Sequence, residues 1–194
     1  MSLILEPPPK SLASLPGFGI RKDIRIADVG LAAGVRYRLR NEGEDPITLT
    51  FTSASNVGMV GEAIPGDTIG LGQKKTTPGK PLEAKNVTEI TVHAEQRHFD
   101  ITFAVDPPAE AATKPIYAVA NSEEGFERVY QQTEISCSWT VTIEPDAHVD
   151  LEIRATAVGQ MIEPDLPKSA PRRKRAAPVA IAAGPAETPG RPKR

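Results

Sequence analysis

Apolar and polar side chains alternate with a period of two through most of this chain, and no stretch carries the 3.6-residue apolar period of an amphipathic helix. The longest alternation runs through Val129, Ile135, Cys137, Trp139, Val141 and Ile143, which share one parity. Ala147, Val149, Leu151, Ile153 and Ala155 continue it after Glu144-Pro145-Asp146. Two one-faced strands around a tight turn read as a hairpin, with Trp139 opposite Leu151 and Cys137 opposite Ile153. Ser136, Ser138, Thr140 and Thr142 would then oppose Arg154, Glu152, Asp150 and His148 on the outer face.

Two more hairpins follow from the same rule. Val35, Tyr37 and Leu39 alternate with Arg36, Arg38 and Arg40; beyond the turn formers of 41–46, Ile47, Leu49 and Phe51 alternate with threonines. Further on, Ile90, Val92 and Ala94 answer Phe99, Ile101 and Phe103. A turn centred on Glu95-Gln96 puts Val92 opposite Phe99 and His93 opposite His98, so that every apolar residue meets an apolar partner. Ile20 to Ile26 and Ile116 to Ala120 add shorter strands, for about seven or eight in all. Strands with one apolar face must bury those faces against one another, so the expected fold is all-β: an antiparallel β-sandwich, Ig-like or jelly-roll-like, over residues 20–158. The glycine-rich stretch 54–81 and the segment 106–125, opening with Asp106-Pro107-Pro108, read as long loops that move or carry function.

Composition separates the ends from this body. The chain of 194 residues is 39% hydrophobic and holds 19 prolines and 15 glycines, which implies that part of it is not packed. Residues 1–19 read as an extended proline-rich arm, with Glu6 to Lys10 in polyproline II geometry. Residues 159–194 hold seven prolines among alanines and read as a disordered basic tail. From Lys168 onward eight basic residues face one acid, Glu187, for a net +7; the remaining 15 basic and 24 acidic groups leave the rest at −9. Four adjacent cations, Arg172, Arg173, Lys174 and Arg175, joined by Arg191, Lys193 and Arg194, suit an acidic protein surface or a nucleic-acid backbone.

Local catalytic motifs are absent. No G-x-S-x-G elbow and no H-E-x-x-H occurs, and Gly70 to Thr76 lacks the spacing of a phosphate-binding loop. Cys137, between Ile135 and Trp139, reads as a buried thiol, and a single cysteine excludes an intramolecular disulfide. His93 and His98, with Asp100 and Glu95 nearby, form the one candidate metal pair, although an exposed polar pair needs no ion. No cofactor is expected. The arginine row at 36, 38 and 40 reads as a solvated face or edge protection.

These readings together point to a non-enzymatic structural, assembly or adaptor protein that works through protein–protein contacts as a homo-oligomer or within a larger assembly. The alternatives are a β-pore-forming, membrane-acting protein and a nucleic-acid-associated protein acting through the tail. No apolar run approaches the roughly 20 residues of a membrane helix. Leu3-Ile4-Leu5 is too short for a signal-peptide core, so the expected location is the cytoplasm or a particle assembled there.

Overall fold

The computed structural model describes residues 2–5, 15–27, 30–122 and 125–159, within a compact unit that runs from Met1 to Gln160. Ten strands account for most of them: β1 (Ser2–Leu5), β2 (Phe18–Ile26), β3 (Leu31–Asn41), β4 (Ile47–Val57), β5 (Thr68–Leu71), β6 (Lys74–Thr76), β7 (Leu82–Ala94), β8 (Phe99–Ser122), β9 (Gly125–Ile143) and β10 (His148–Gly159). All pairings are antiparallel, and among the described residues the only helical piece is a 3-10 turn at Glu95–Arg97. The all-β sandwich expected from the alternation is therefore what the chain forms.

Hydrogen bonds run in the order β1-β2-β3-β10-β8-β7-β5-β6, with β9 joining β8 to β4 in a second branch. The strand that serves both is β8. Its first part, Phe99 to Asp106, pairs with β10, and its second, Glu110 to Ser122, pairs with β9. Pro107 and Pro108 fall between these ladders, where neither strand asks them for an amide donor, and the Asp106-Pro107 bond is cis. Trp139, on β9, donates its indole N–H to the Pro107 carbonyl at 2.9 Å and ties the crossing point to the core.

This pairing corrects two of the three expected hairpins. β3 does not pair with β4; it lies between β2 and β10, while β4 pairs with β9. Nor does β9 pair with β10. Leu151 lies beside Tyr37 and Ile153 beside Val35, whereas Trp139 lies beside Phe51. The apolar parity was correct, and the buried residues of β9 and β10 (Ile135, Cys137, Trp139, Ile143, Leu151 and Ile153) are those it selects. They share one core, however, across two layers rather than side by side in one. On the outer face Thr48, Thr50 and Thr52 bond through their hydroxyls to Thr142, Thr140 and Ser138 at 2.8–3.1 Å.

The third hairpin forms, two residues out of the expected register. Val92 pairs with Ile101 and Ala94 with Phe99, because the turn takes in Glu95, Gln96 and Arg97 and ends at His98 in the left-handed region (φ 50°). A shift of two keeps every side chain on its face. The supposed loop 106–125 is mostly strand. The stretch 54–81 holds the end of β4 and the β5–β6 hairpin, whose two-residue turn places Gly72 at φ +59°.

At the ends, β1 forms an edge strand within the segment read as an arm, and β2 opens with buried Phe18. The polyproline segment and the basic tail, with Arg172, Arg173, Lys174, Arg175, Arg191, Lys193 and Arg194, lie outside the described residues apart from Gly159.

Candidate functional site

A groove opens where β7 departs from regular pairing. Leu82 to Ala84 pair with Thr113 to Ala111, but the ladder is irregular on both sides of Val87, and Asn86 takes a positive φ of 56°. Such a bulge bends its strand and re-aims the side chains beside it. The resulting groove, about 520 Å³, crosses β7, β8 and β9. On the outer face only Ala112 lines it with a methyl group, since Ala84 and Ala111 turn their side chains to the core on the side of Cys137. Polar groups stand around it. Lys85 Nζ lies 3.1 Å from a Glu110 carboxylate oxygen, and Lys74 Nζ donates to the Glu83 backbone carbonyl at 2.9 Å. Among the described residues the Glu83 carboxylate has no partner. Ser138 shares a hydroxyl bond with Thr52 at 2.8 Å, while Ser136 reaches the Ala112 carbonyl at 3.4 Å. Donors and acceptors thus dominate the groove, and its lining holds no nucleophilic thiol or imidazole.

The histidine pair does not exist as expected. Asp100, not His98, stands opposite His93, because the turn is longer than the one assumed. His93 Nδ1 contacts Asp100 Oδ1 at 2.5 Å and its Nε2 contacts Glu95 Oε2 at 2.7 Å. Hydrogen bonding to Asp100 first and Glu95 second raises the imidazole above its usual pKa of 6.5, since only the protonated ring donates from both nitrogens. The two carboxylates sit on opposite nitrogens and do not converge on one point. Among the described residues no group of three or more His, Cys, Asp or Glu side chains is arranged to hold a metal. The Glu95 amide, in turn, donates to buried Asp67 at 3.0 Å and pins the turn to the loop before β5.

Two arginines of the β3 row meet one acid on the neighbouring strand, while Arg40 pairs with Glu42 just past its own strand. Arg38 grips Asp150 with two bonds of 2.8 and 2.9 Å, and Arg36 approaches the same carboxylate at 3.4 Å. Those contacts, the Arg38 hydrogen bond foremost, hold the Asp150 carboxyl below its usual range. The row is thus paired within its own sheet, and β3 is an interior strand rather than an edge. Cys137 is buried, and desolvation pushes its thiol up to about 11, as a structural cysteine requires. The groove escaped the sequence reading because nothing in the alternation announces a bulge. The one local cue is Lys85-Asn86, two polar residues breaking the parity of β7.

Fold and groove together define a β-sandwich with a polar groove on one outer face. Residues 11–153 match the family of alpha-amylase/4-alpha-glucanotransferase C-terminal domains, and the chain belongs to that family. Among solved structures it resembles the 4-alpha-glucanotransferase of Thermococcus litoralis (17% identity, TM-score 0.48, 72% of this chain and 18% of that one). A protein of Synechocystis gives 10% identity and a TM-score of 0.52, covering 82% of this chain and 61% of that one. A candidate aldose 1-epimerase of Escherichia coli K12 gives 10% and 0.51, covering 82% and 65%. The chain spans less than two thirds of each of these proteins. No curated protein sequence matches it.

The family match overturns the expectation of a non-enzymatic assembly or adaptor protein, together with its pore-forming and nucleic-acid alternatives. It places the chain among the C-terminal domains of alpha-amylase/4-alpha-glucanotransferase proteins, a family tied to carbohydrate-related enzymes. Sequence reasoning missed this because the fold carries no local motif, and function is grafted onto such folds residue by residue.

Proposed function

We propose that the chain acts in α-glucan chemistry, as the C-terminal-type β-sandwich of an enzyme of the amylase/4-alpha-glucanotransferase kind. The observation that carries this reading is the family match over residues 11–153, which spans β2 to β9 and reaches into β10. The outer face of β4 and β9 supports it. Hydroxyls of Thr48, Thr50, Thr52, Ser138, Thr140 and Thr142 cover a surface on which polyhydroxyl chains exchange hydrogen bonds with little desolvation of charge. Native electrophoresis of the full chain through gels containing glycogen, soluble starch or dextran tests the reading, alongside an assay of maltooligosaccharide redistribution. Retardation by the α-1,4-glucans but not by dextran, or transfer activity, is expected. Unchanged mobility in all three gels with no redistribution would overturn it.

A further inference from the structure

We propose that the outer face of β2, β3 and β10 carries, over Gly34, a binding site for a phosphoryl group, an assignment independent of the α-glucan reading.

The strand register builds the site. Arg25 on β2 and Arg154 on β10 are both paired with Gly34 of β3, so the three positions share one face of the sheet. That face is the outer one, because Val35, Tyr37 and Leu39, of opposite parity, belong to the core. Gly34 has no side chain, and Ala32, next to it on the same face, has only a methyl group. A hollow of about 400 Å³ therefore opens between the arginines, with Arg25, Ala32, Glu152, Arg154 and Thr156 lining it from this face. Adjacent strands lie about 4.8 Å apart, which sets the two arginine α-carbons about 10 Å from each other. Guanidinium groups on stems of that length can reach one small anion held over the glycine.

Ion pairing on this face singles out the same two arginines. Arg21 bonds to Asp23 at 3.1 Å, Arg38 grips Asp150 with two bonds, and Arg40 pairs with Glu42 at 3.0 Å. Arg25 has no hydrogen-bond or ion-pair partner among the described residues, and Arg154 has only Glu152 Oε1, 3.7 Å away. One row further along β3, Arg36 reaches Asp150 at 3.4 Å through Nη2, while its buried Nε has no acceptor among the described residues. Donors are thus in excess at the hollow and in the row beside it.

Charge and shape select the ligand. A phosphate monoester carries about −1.5 to −2 charges at pH 7 and three acceptor oxygens, so it can answer one guanidinium fork on each side. A carboxylate, with one charge and two oxygens, is filled by a single fork. Thr156 adds a hydroxyl donor at one edge. The volume falls in the range of about 300–1,000 Å³ typical of small-ligand sites, which leaves room for the alcohol part of a monoester. Glu152 is the one carboxylate in the lining, and it competes with the anion for Arg154.

The test is a titration of the full chain with inorganic phosphate, glycerol 1-phosphate and acetate at constant ionic strength, followed by amide NMR shifts. It compares the unaltered protein with Arg25→Gln, Arg154→Gln, Gly34→Val and Glu152→Gln. Both arginines are exposed, and a Cβ at Gly34 would meet its nearest neighbour, Arg154 Cγ, at an ordinary 3.5 Å; thermal melts check that each variant folds. Shifts concentrated at 25, 32–36 and 152–156 are expected for both phosphates, with acetate about tenfold weaker or more. Each arginine variant and Gly34→Val should weaken phosphate binding about tenfold, and Glu152→Gln, which removes the competing carboxylate, should tighten it. Tighter binding of glycerol 1-phosphate points to a monoester as the source and tighter binding of inorganic phosphate to the free ion; either result supports the site. No binding of either phosphate, or an affinity that both arginine variants leave unchanged, would overturn it. Acetate bound as tightly as phosphate would overturn the phosphoryl assignment.

Discussion

Asn41, fully buried at the end of β3, donates from its carboxamide to the Ile143 carbonyl at the end of β9, 2.9 Å away. The same nitrogen donates to the Asp45 carbonyl at 2.8 Å, the side-chain oxygen accepts from the Gly43 amide at 2.9 Å, and the Asn41 amide donates to Ala147. One side chain therefore satisfies three backbone groups of the two connections, 41–47 and 143–148, by which the chain passes between layers.

Replacing that residue gives the first prediction. Asn41→Leu is close in volume but strands two carbonyls and one amide; an unsatisfied buried group costs about 1–3 kcal/mol, so a loss of ~3 kcal/mol or more is expected in urea denaturation. Asn41→Asp, which keeps the acceptor for Gly43 and loses the donors, should also be destabilised. A loss under ~1 kcal/mol in Asn41→Leu would show that the staple is not needed.

Two ion pairs on the outer face should respond to pH with opposite signs. His93 is raised by its carboxylate partners, so its stabilisation is fully present below the usual pKa of 6.5 and is lost as pH rises through the higher folded value. Asp150 is lowered by Arg38, so its contribution is present above the ordinary value of 3.8 and disappears as pH falls through the lower folded value. His93→Gln should flatten the alkaline side of a plot of melting temperature against pH, and Asp150→Asn the acid side. An NMR midpoint for His93 at or below 6.5 would contradict the first assignment.

Cys137 should be chemically silent. With its thiol buried and pushed up to about 11, modification by an aromatic disulfide reagent at pH 7.5 should proceed only as fast as the protein opens, and go to completion in denaturant. Rapid labelling of the folded protein would mean that this face of β9 is not covered as described. Cys137→Ser puts a hydroxyl in the same site, and a cost of about 1–3 kcal/mol is expected.

Faces were legible in the sequence where neighbours were not. The parity of Tyr37, Leu39, Trp139 and Leu151 marks which side of each strand is buried, because the pleat obliges it. Whether two such strands joined by a short turn lie side by side or in opposite layers is a separate question. Both arrangements bury the same residues, and local pattern cannot choose between them. The choice depends on partners far away in sequence, such as Asp150 for Arg38, separated by 112 residues. The groove was illegible for a related reason. Its floor and edge come from β6, β7, β8 and β9, and the bulge that opens it shows in sequence only as the polar pair Lys85-Asn86. Asp106-Pro107-Pro108 misled in the opposite direction: proline argues against a central strand except at a break between ladders, which is where this pair sits.

The position of β10 has a consequence for how the protein is made. It is the last of the ten described strands to leave the ribosome, yet it lies in the interior of its sheet, between β3 and β8. Until residues 148–159 emerge, those two strands each present an open row of amides and carbonyls to any neighbouring chain, and strands so exposed invite mispairing. The nascent domain is thus most vulnerable just before β10 emerges, and a chain halted before His148 should aggregate or recruit chaperones rather than wait as a half-built domain.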